Sequence, residues 1–196
     1  MAEAALNGMT VDEFLRWAGG ADDRYELIAG RPVAMAPPGG RHSLLSSNLN
    51  GEIRNVLQSR RPCRIYTEDG LIPSHRNDAF YVADLAATCV PLGQDGRIRD
   101  PFLIIEIQSP STSRSDYRNK VPDYRLIPSV LEILLIDSLS LFAEVLHRDG
   151  DHWVTELVQG RRGVLTLTSV PLQIPLIELY DGVPLPSDDD GGVAVG

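Results

Sequence analysis

Two carboxylates, an amide and a solitary amine stand where they could do chemistry. Glu106 interrupts the apolar run FLIIEIQ (102–108), Asp84 interrupts FYVADLAATCV (80–90), Gln108 closes the first run, and Lys120 follows it. An ionised carboxylate inside a core strand costs several kcal/mol unless it is paired or bound to a cation, so Glu106 implies a partner. Paired acids with a nearby lysine are the ingredients of metal-assisted phosphodiester hydrolysis. Oxygen ligands suit Mg²⁺ or Mn²⁺, which acidifies a bound water, aligns it with phosphorus and neutralises developing charge. The ammonium would hold the attacking water or a phosphate oxygen. Lys120 is the only lysine in a chain with 17 arginines, and arginine is a poor substitute for a compact, tunable ammonium. The carbonyl of Gln108 could ligate a metal, or its amide could orient water.

A plainer account fits the same residues. Asp84 and Glu106 could face solvent or an arginine, Gln108 could be a polar edge residue, and Lys120 could lie on a solvated helix face. His42 would then be an exposed residue at a helix start and Glu26 a surface residue of a hairpin, with Asp116 and Tyr124 capping and packing a helix.

Positioning these groups requires particular elements. In a strand over 102–108, alternation puts Phe102, Ile104, Glu106 and Gln108 on one face and Leu103, Ile105 and Ile107 on the other. The loop PLGQDGRIRD joins it to the Asp84 strand, so the two most simply pair antiparallel. Setting Asp84 against Glu106 centres the connection at Gln94-Asp95-Gly96, with Cβ atoms ~4.5–5.5 Å apart if directly opposed. Two such acids repel each other unless a cation lies between them. After the turn SPST, a helical segment over 115–127 carries Asp116, Lys120 and Tyr124 at intervals of four, which is one face. Pro122 interrupts or kinks it, or delays its start to about Asn119.

Upstream, Thr10 and Glu13 have capping-box spacing for a short helix ended by Gly19-Gly20. YELIAGRPVAM reads as a hairpin turning at Ala29-Gly30 and carrying Glu26. Leu45, Leu49, Ile53, Val56 and Leu57 recur at helical spacing over 42–58. CRIYTE reads as a strand, as does Leu131–Ile136, and LFAEVLHR, HWVTELV and VLTLTSV suggest a C-terminal β-meander.

A length of 196 residues fits one domain. Hydrophobic content of 43% and charged content of 23% describe a soluble globular protein. No apolar run reaches the ~20 residues needed to span a bilayer, and MAEAALNGMTVDEF lacks a signal-peptide pattern, so no membrane association and a cytoplasmic location are expected. Cys63 and Cys89 are far apart and outside any C-x-x-C pattern, so neither a disulfide scaffold nor structural zinc is expected, and a reduced compartment fits. A net charge of −9 opposes broad capture of nucleic acid. Arginines nevertheless cluster locally at Arg54, Arg60, Arg61 and Arg64, and again at Arg114, Arg118 and Arg125. Arg114 and Arg118, close to the Lys120 helix, are candidates for contact with a phosphate backbone. Disordered ends are expected at 1–8 and at 184–196, flanking a domain over 9–183.

The succession TVDEF, RYELIAG, an APP loop followed by His42, ADL, LIIEIQSPST, Asp116-x3-Lys120-x3-Tyr124 and VLEILLID resembles the Uma-two family of restriction endonucleases, within the PD-(D/E)XK nuclease superfamily. The resemblance covers roughly residues 9 to 183. It implies an α/β restriction-endonuclease-like fold with a mixed central β-sheet flanked by helices, a divalent-metal site holding Mg²⁺ or Mn²⁺, and hydrolysis of DNA. It also implies a homodimer, because such nucleases often cut two strands with two sites. Asp84 and Glu106 match the metal-binding acids, the Ile107 carbonyl and Gln108 complete the shell, and Lys120 matches a helix lysine that replaces the one missing from the strand. Glu26 matches a further acidic position and His42 an imidazole position near the site, with His42 and Tyr124 expected beside substrate. Ala83 replaces the usual proline, and Gln108 occupies the superfamily's lysine position. The rival expectation is a nuclease fold kept as a non-catalytic binding or assembly module. A third is a metal hydrolase of a small phosphorylated molecule, which predicts a closed pocket.

Overall fold

The computed structural model describes residues 8–17, 24–94, 97–109 and 116–185. Residues 1–7 and 186–196 of the disordered ends expected at 1–8 and 184–196, the Gly19-Gly20 stop, Asp95-Gly96 of the β-connection and Pro110-Ser111-Thr112 of the SPST turn lie outside them.

The first helix, α1 (Val11–Arg16), opens on the expected capping box: the Thr10 hydroxyl accepts from the Glu13 amide and the Glu13 carboxylate accepts from the Thr10 amide. Strands β1 (Tyr25–Ile28) and β2 (Arg31–Ala34) form the expected hairpin. Ala29 at φ 48° and Gly30 at φ 74° make its turn, the pair of positive φ values that matches strand twist. Helix α2 (Gly40–Leu57) buries Leu45, Leu49, Ile53 and Leu57, the stripe its spacing predicts.

Six strands build the central sheet in the order β3-β4-β5-β6-β7-β8. They are β3 (Arg64–Leu71), β4 (Tyr81–Thr88), β5 (Leu103–Gln108), β6 (Glu132–Asp137), β7 (Phe142–Asp149) and β8 (His152–Gln159). Only β5 and β6 pair in parallel, and the other neighbours are antiparallel, so the sheet is mixed. A parallel pair needs a long crossover. It is supplied by a π-helical turn (Asp116–Lys120) running into α3 (Val121–Arg125). The C-terminal strands divide: β7 and β8 extend the central sheet, while β9 (Val164–Leu167) pairs separately with β10 (Leu172–Pro175) ahead of the short α4 (Leu176–Leu179).

Each face of the sheet has its own core. Leu103, Ile105 and Ile107 pack with α2, β9, β10 and α4. Ile104 packs on the other side with Tyr81, Val121, Tyr124, Ile127 and Ile133. One assignment is corrected. Phe102 packs with the first core rather than with Ile104, because it precedes the strand: its amide donates to Ala87 and its carbonyl accepts from Leu131 and Glu132. A second correction concerns the cysteines. Cys63 and Cys89 stand one step beyond the Arg64↔Thr88 pair and are joined by a disulfide.

Candidate active site

The strand pair β4–β5 supplies the two central acids. Its register runs Ala87↔Leu103, Ala86↔Ile104, Leu85↔Ile105, so the next step brings Asp84 opposite Glu106. The ladder stops there, and the pairing of β4 with β3 also skips this level, where Glu68 has φ 51°. Asp84 therefore sits where both ladders of β4 are interrupted. Its carboxylate takes over the lost backbone contact, accepting the Ile107 amide at 2.6 Å through Oδ2. The N–H and C=O of one ladder residue face the same neighbouring strand, so the Ile107 carbonyl is turned toward β4 as well. The other oxygen of Asp84 lies 3.1 Å from His42 Nε2, in the first turn of α2.

Glu106 is 2% exposed. Its Oε1 accepts the Tyr124 hydroxyl at 2.7 Å, and both of its oxygens lie 3.4 Å from Lys120 Nζ. The ammonium in turn lies 2.9 Å from Glu26 Oε1 and 3.3 Å from the Val82 carbonyl. Glu26 arrives here because β1 docks on the start of β4, where Leu27 and Phe80 exchange backbone hydrogen bonds. The same Glu26 oxygen accepts the Val82 amide at 2.8 Å. Three separate strands, β1, β4 and β5, thus converge on one buried ammonium. The expected helix around Lys120 is modified: Pro122 has no N–H to donate, and the backbone answers with the π-helical turn before the α-helix begins at Val121.

The structure brings Glu26, Glu106, Lys120 and Tyr124 together, with Asp84 and His42 beside them through the Glu106–Ile107 peptide. Tyr124 is fully buried behind Glu106 and not on an open face. Gln108 is buried at the end of β5, and its Nε2 has no hydrogen-bond partner among the described residues. Arg118 is exposed on the π-helical turn. Arg114 and the side chain of Asp116 lie outside the described residues. Sequence reading missed Asp123, buried on α3 between Lys120 and Tyr124 in the chain and bonded by three side chains.

Three carboxylates against one ammonium leave a formal negative excess, and with the Ile107 carbonyl the donors are all oxygen, a set that suits a hard divalent cation. Among the described residues no three His, Cys, Asp or Glu side chains are gathered closely enough to hold a metal by themselves. That leaves the arrangement Mg²⁺ commonly accepts, one or two carboxylates completed by water and substrate phosphate. Gln108, whose Nε2 is the atom without a partner among the described residues, lies on the same strand, two residues beyond Glu106.

A mixed sheet with acids at an interrupted strand pair and a crossover lysine on one of them defines a nuclease-like fold. Residues 11–176 match the family model Uma2, described as "Putative restriction endonuclease", and the chain belongs to that family. Two proteins of Synechocystis sp. (strain ATCC 27184 / PCC 6803 / Kazusa) are similar along nearly their whole length. "Uncharacterized protein slr1290" is 27% identical over 89% of this chain and 93% of its own, and "Uncharacterized protein sll1609" is 27% identical over 81% and 92%. The fold matches the crystal structure of "a putative nuclease belonging to DUF820" from Anabaena variabilis ATCC 29413, with a TM-score of 0.71 and 21% identity over 90% of this chain and 99% of that one. Among the described residues no helix is long and apolar enough to cross a membrane.

Proposed function

We propose that the protein is a divalent-metal-dependent endonuclease that hydrolyses DNA phosphodiester bonds. The observation that carries this reading is Glu106, buried in a core strand, held by Lys120 and Tyr124, and adjoining Asp84 across the interrupted β4–β5 ladder. Family and fold support the nuclease class. Asp84, Glu106 and the Ile107 carbonyl would hold Mg²⁺ or Mn²⁺, and the bound ion would supply an acidified water and charge neutralisation at phosphorus. Lys120, paired with Glu106, orients the attacking water or a phosphate oxygen. Tyr124 and His42 fix the rotamers of Glu106 and Asp84, and Glu26 keeps the ammonium in place from the far side. Gln108, whose Nε2 has no partner among the described residues, orients water beside Glu106, while Arg118 and Arg114 contact the backbone of the bound strand. We further read the protein as a cytoplasmic homodimer, with one site for each DNA strand.

The test is cleavage of supercoiled plasmid with Mg²⁺ or Mn²⁺ by wild type, Asp84→Ala and Glu106→Ala. Nicking that needs metal and is lost in both variants is expected; equal cutting by all three would reveal a contaminant. One observation favours a second reading, a non-catalytic module: the ammonium lies between Glu26 and Glu106, where it already neutralises them. Titration calorimetry separates the two readings, since an absence of Mg²⁺ and Mn²⁺ affinity would support the module.

A further inference from the structure

Lys120 sits at the junction of a single π-helical turn and a helix of five residues. Isolated helices much shorter than ~12 residues do not hold their own shape in water, so the aim of the Lys120 side chain must be set by tertiary ties. At its far end the segment is tied by Arg148, whose guanidinium donates to the carbonyls of Arg125, Ile127 and Val130. Near Lys120 the tie is Asp123. Its Oδ1 lies 3.0 Å from His75 Nε2, and its Oδ2 accepts from Arg76 Nη1 at 3.0 Å and from the Tyr81 hydroxyl at 2.6 Å. Tyr81 also reaches the Asn119 carbonyl at 3.2 Å, so one phenol contacts residues on both sides of Lys120. Arg76 is itself braced by two hydrogen bonds to Asp78, and the Tyr81 ring meets the Tyr124 ring edge-on, with centroids 5.8 Å apart.

A carboxylate buried to this degree is costly unless its hydrogen bonds are satisfied, and here three partners from the β3–β4 connection and the start of β4 satisfy it. We propose that Asp123 is a positioning residue: through His75, Arg76 and Tyr81 it locks α3 onto β4 and so holds Lys120 and Tyr124 on Glu106. The catalytic part of this inference rests on the nuclease reading, whereas the positional part does not. Asp123 touches none of the proposed reacting groups and acts through the backbone of α3.

Because the chain has a single lysine, protein labelled with ¹³C and ¹⁵N in lysine alone gives one side-chain Nζ resonance, which reports on the surroundings of Lys120. Asp123→Asn removes the charge from the tie, and Tyr81→Phe removes one hydroxyl and leaves the ring in place. Both are expected to shift or broaden the Lys120 resonance. Both are expected to lower kcat for plasmid cleavage roughly 10–100-fold, the usual effect of losing an outer-shell partner, while KM stays unchanged. Glu132→Gln, which disturbs a buried carboxylate bonded to His147, Thr168 and Ser169, serves as the control for lost stability and should leave the Lys120 resonance where it is. A resonance superimposable on that of wild type in both Asp123→Asn and Tyr81→Phe, or cleavage by both at the wild-type rate, overturns the proposal. If wild type itself cuts no DNA, the nuclease reading fails and the resonance alone decides whether Asp123 positions Lys120.

Discussion

Lys120 is 5% exposed, with buried Glu26 and Glu106 on either side. Removing one member of a buried ionic group leaves the others uncompensated, at a cost of about 3–5 kcal/mol. Lys120→Met keeps the length of the side chain and removes its charge, so it should destabilise the fold by an amount in that range. Adding Glu26→Gln should recover part of the loss, because one stranded carboxylate is gone. Urea denaturation of the single and double variants measures this coupling, and strictly additive effects would show that the three groups do not act as a unit. Glu106 and Lys120 were legible in the sequence because each is a chemical anomaly there, an acid in an apolar run and the sole lysine of an arginine-rich chain. Asp123 and the Cys63–Cys89 pair were not. Their contacts depend on how β3 registers with β4 and how the crossover lies, and nothing local to either residue encodes that.

The β1–β2 hairpin delivers Glu26, so its turn matters to the site. Both turn residues have positive φ, a region that costs a non-glycine residue roughly 1–2 kcal/mol, and asparagine tolerates it better than alanine. Ala29 is exposed, so Ala29→Asn should raise stability by about 0.5–1 kcal/mol without disturbing a packed neighbour. Gly30→Ala should act in the opposite direction, since a Cβ there would lie 2.7 Å from the Gly8 Cα. Thermal melts of the two variants check the pair of signs, and a stabilising Gly30→Ala would refute the turn geometry. Hairpin, capping box and helical stripe were all readable because each is specified within a few residues. The π-helical turn was foreshadowed only as an interruption at Pro122, because proline reveals that a helix is disturbed without specifying which way the backbone yields.

Across the whole molecule the sheet carries a second buried acid, on the neighbouring strand three residues from the level of Glu106. Glu132, at the start of β6, is 1% exposed and accepts from the amides and hydroxyls of Thr168 and Ser169 and lies 2.8 Å from His147 Nδ1. It therefore staples the segment after β9 to the central sheet, a join that reading β7, β8 and β9 as one meander did not reveal. The meander reading followed the local alternation of each strand, whereas the separate β9–β10 pair is set by packing against α2 and β6. Burial pushes the Glu132 carboxyl up, but the hydrogen bonds from Ser169 and Thr168 outweigh it and hold the group below the ordinary glutamate value. A carboxyl depressed in the folded state contributes stability that is fully present above its unfolded value and is lost as pH falls through the folded one. Glu132→Gln should therefore cost about 2–3 kcal/mol at neutral pH, the worth of charge-assisted bonds to a buried group. The gap to wild type should narrow as pH falls below the ordinary glutamate value. Asp78, depressed by its hydrogen bonds from Arg76, and Glu144, raised by burial, titrate in both proteins and cancel in the difference. Urea midpoints measured in parallel from pH 7 down to acid decide the matter, and a gap that stays constant with pH would mean that the ionised carboxylate is not what holds the β9 segment to the sheet.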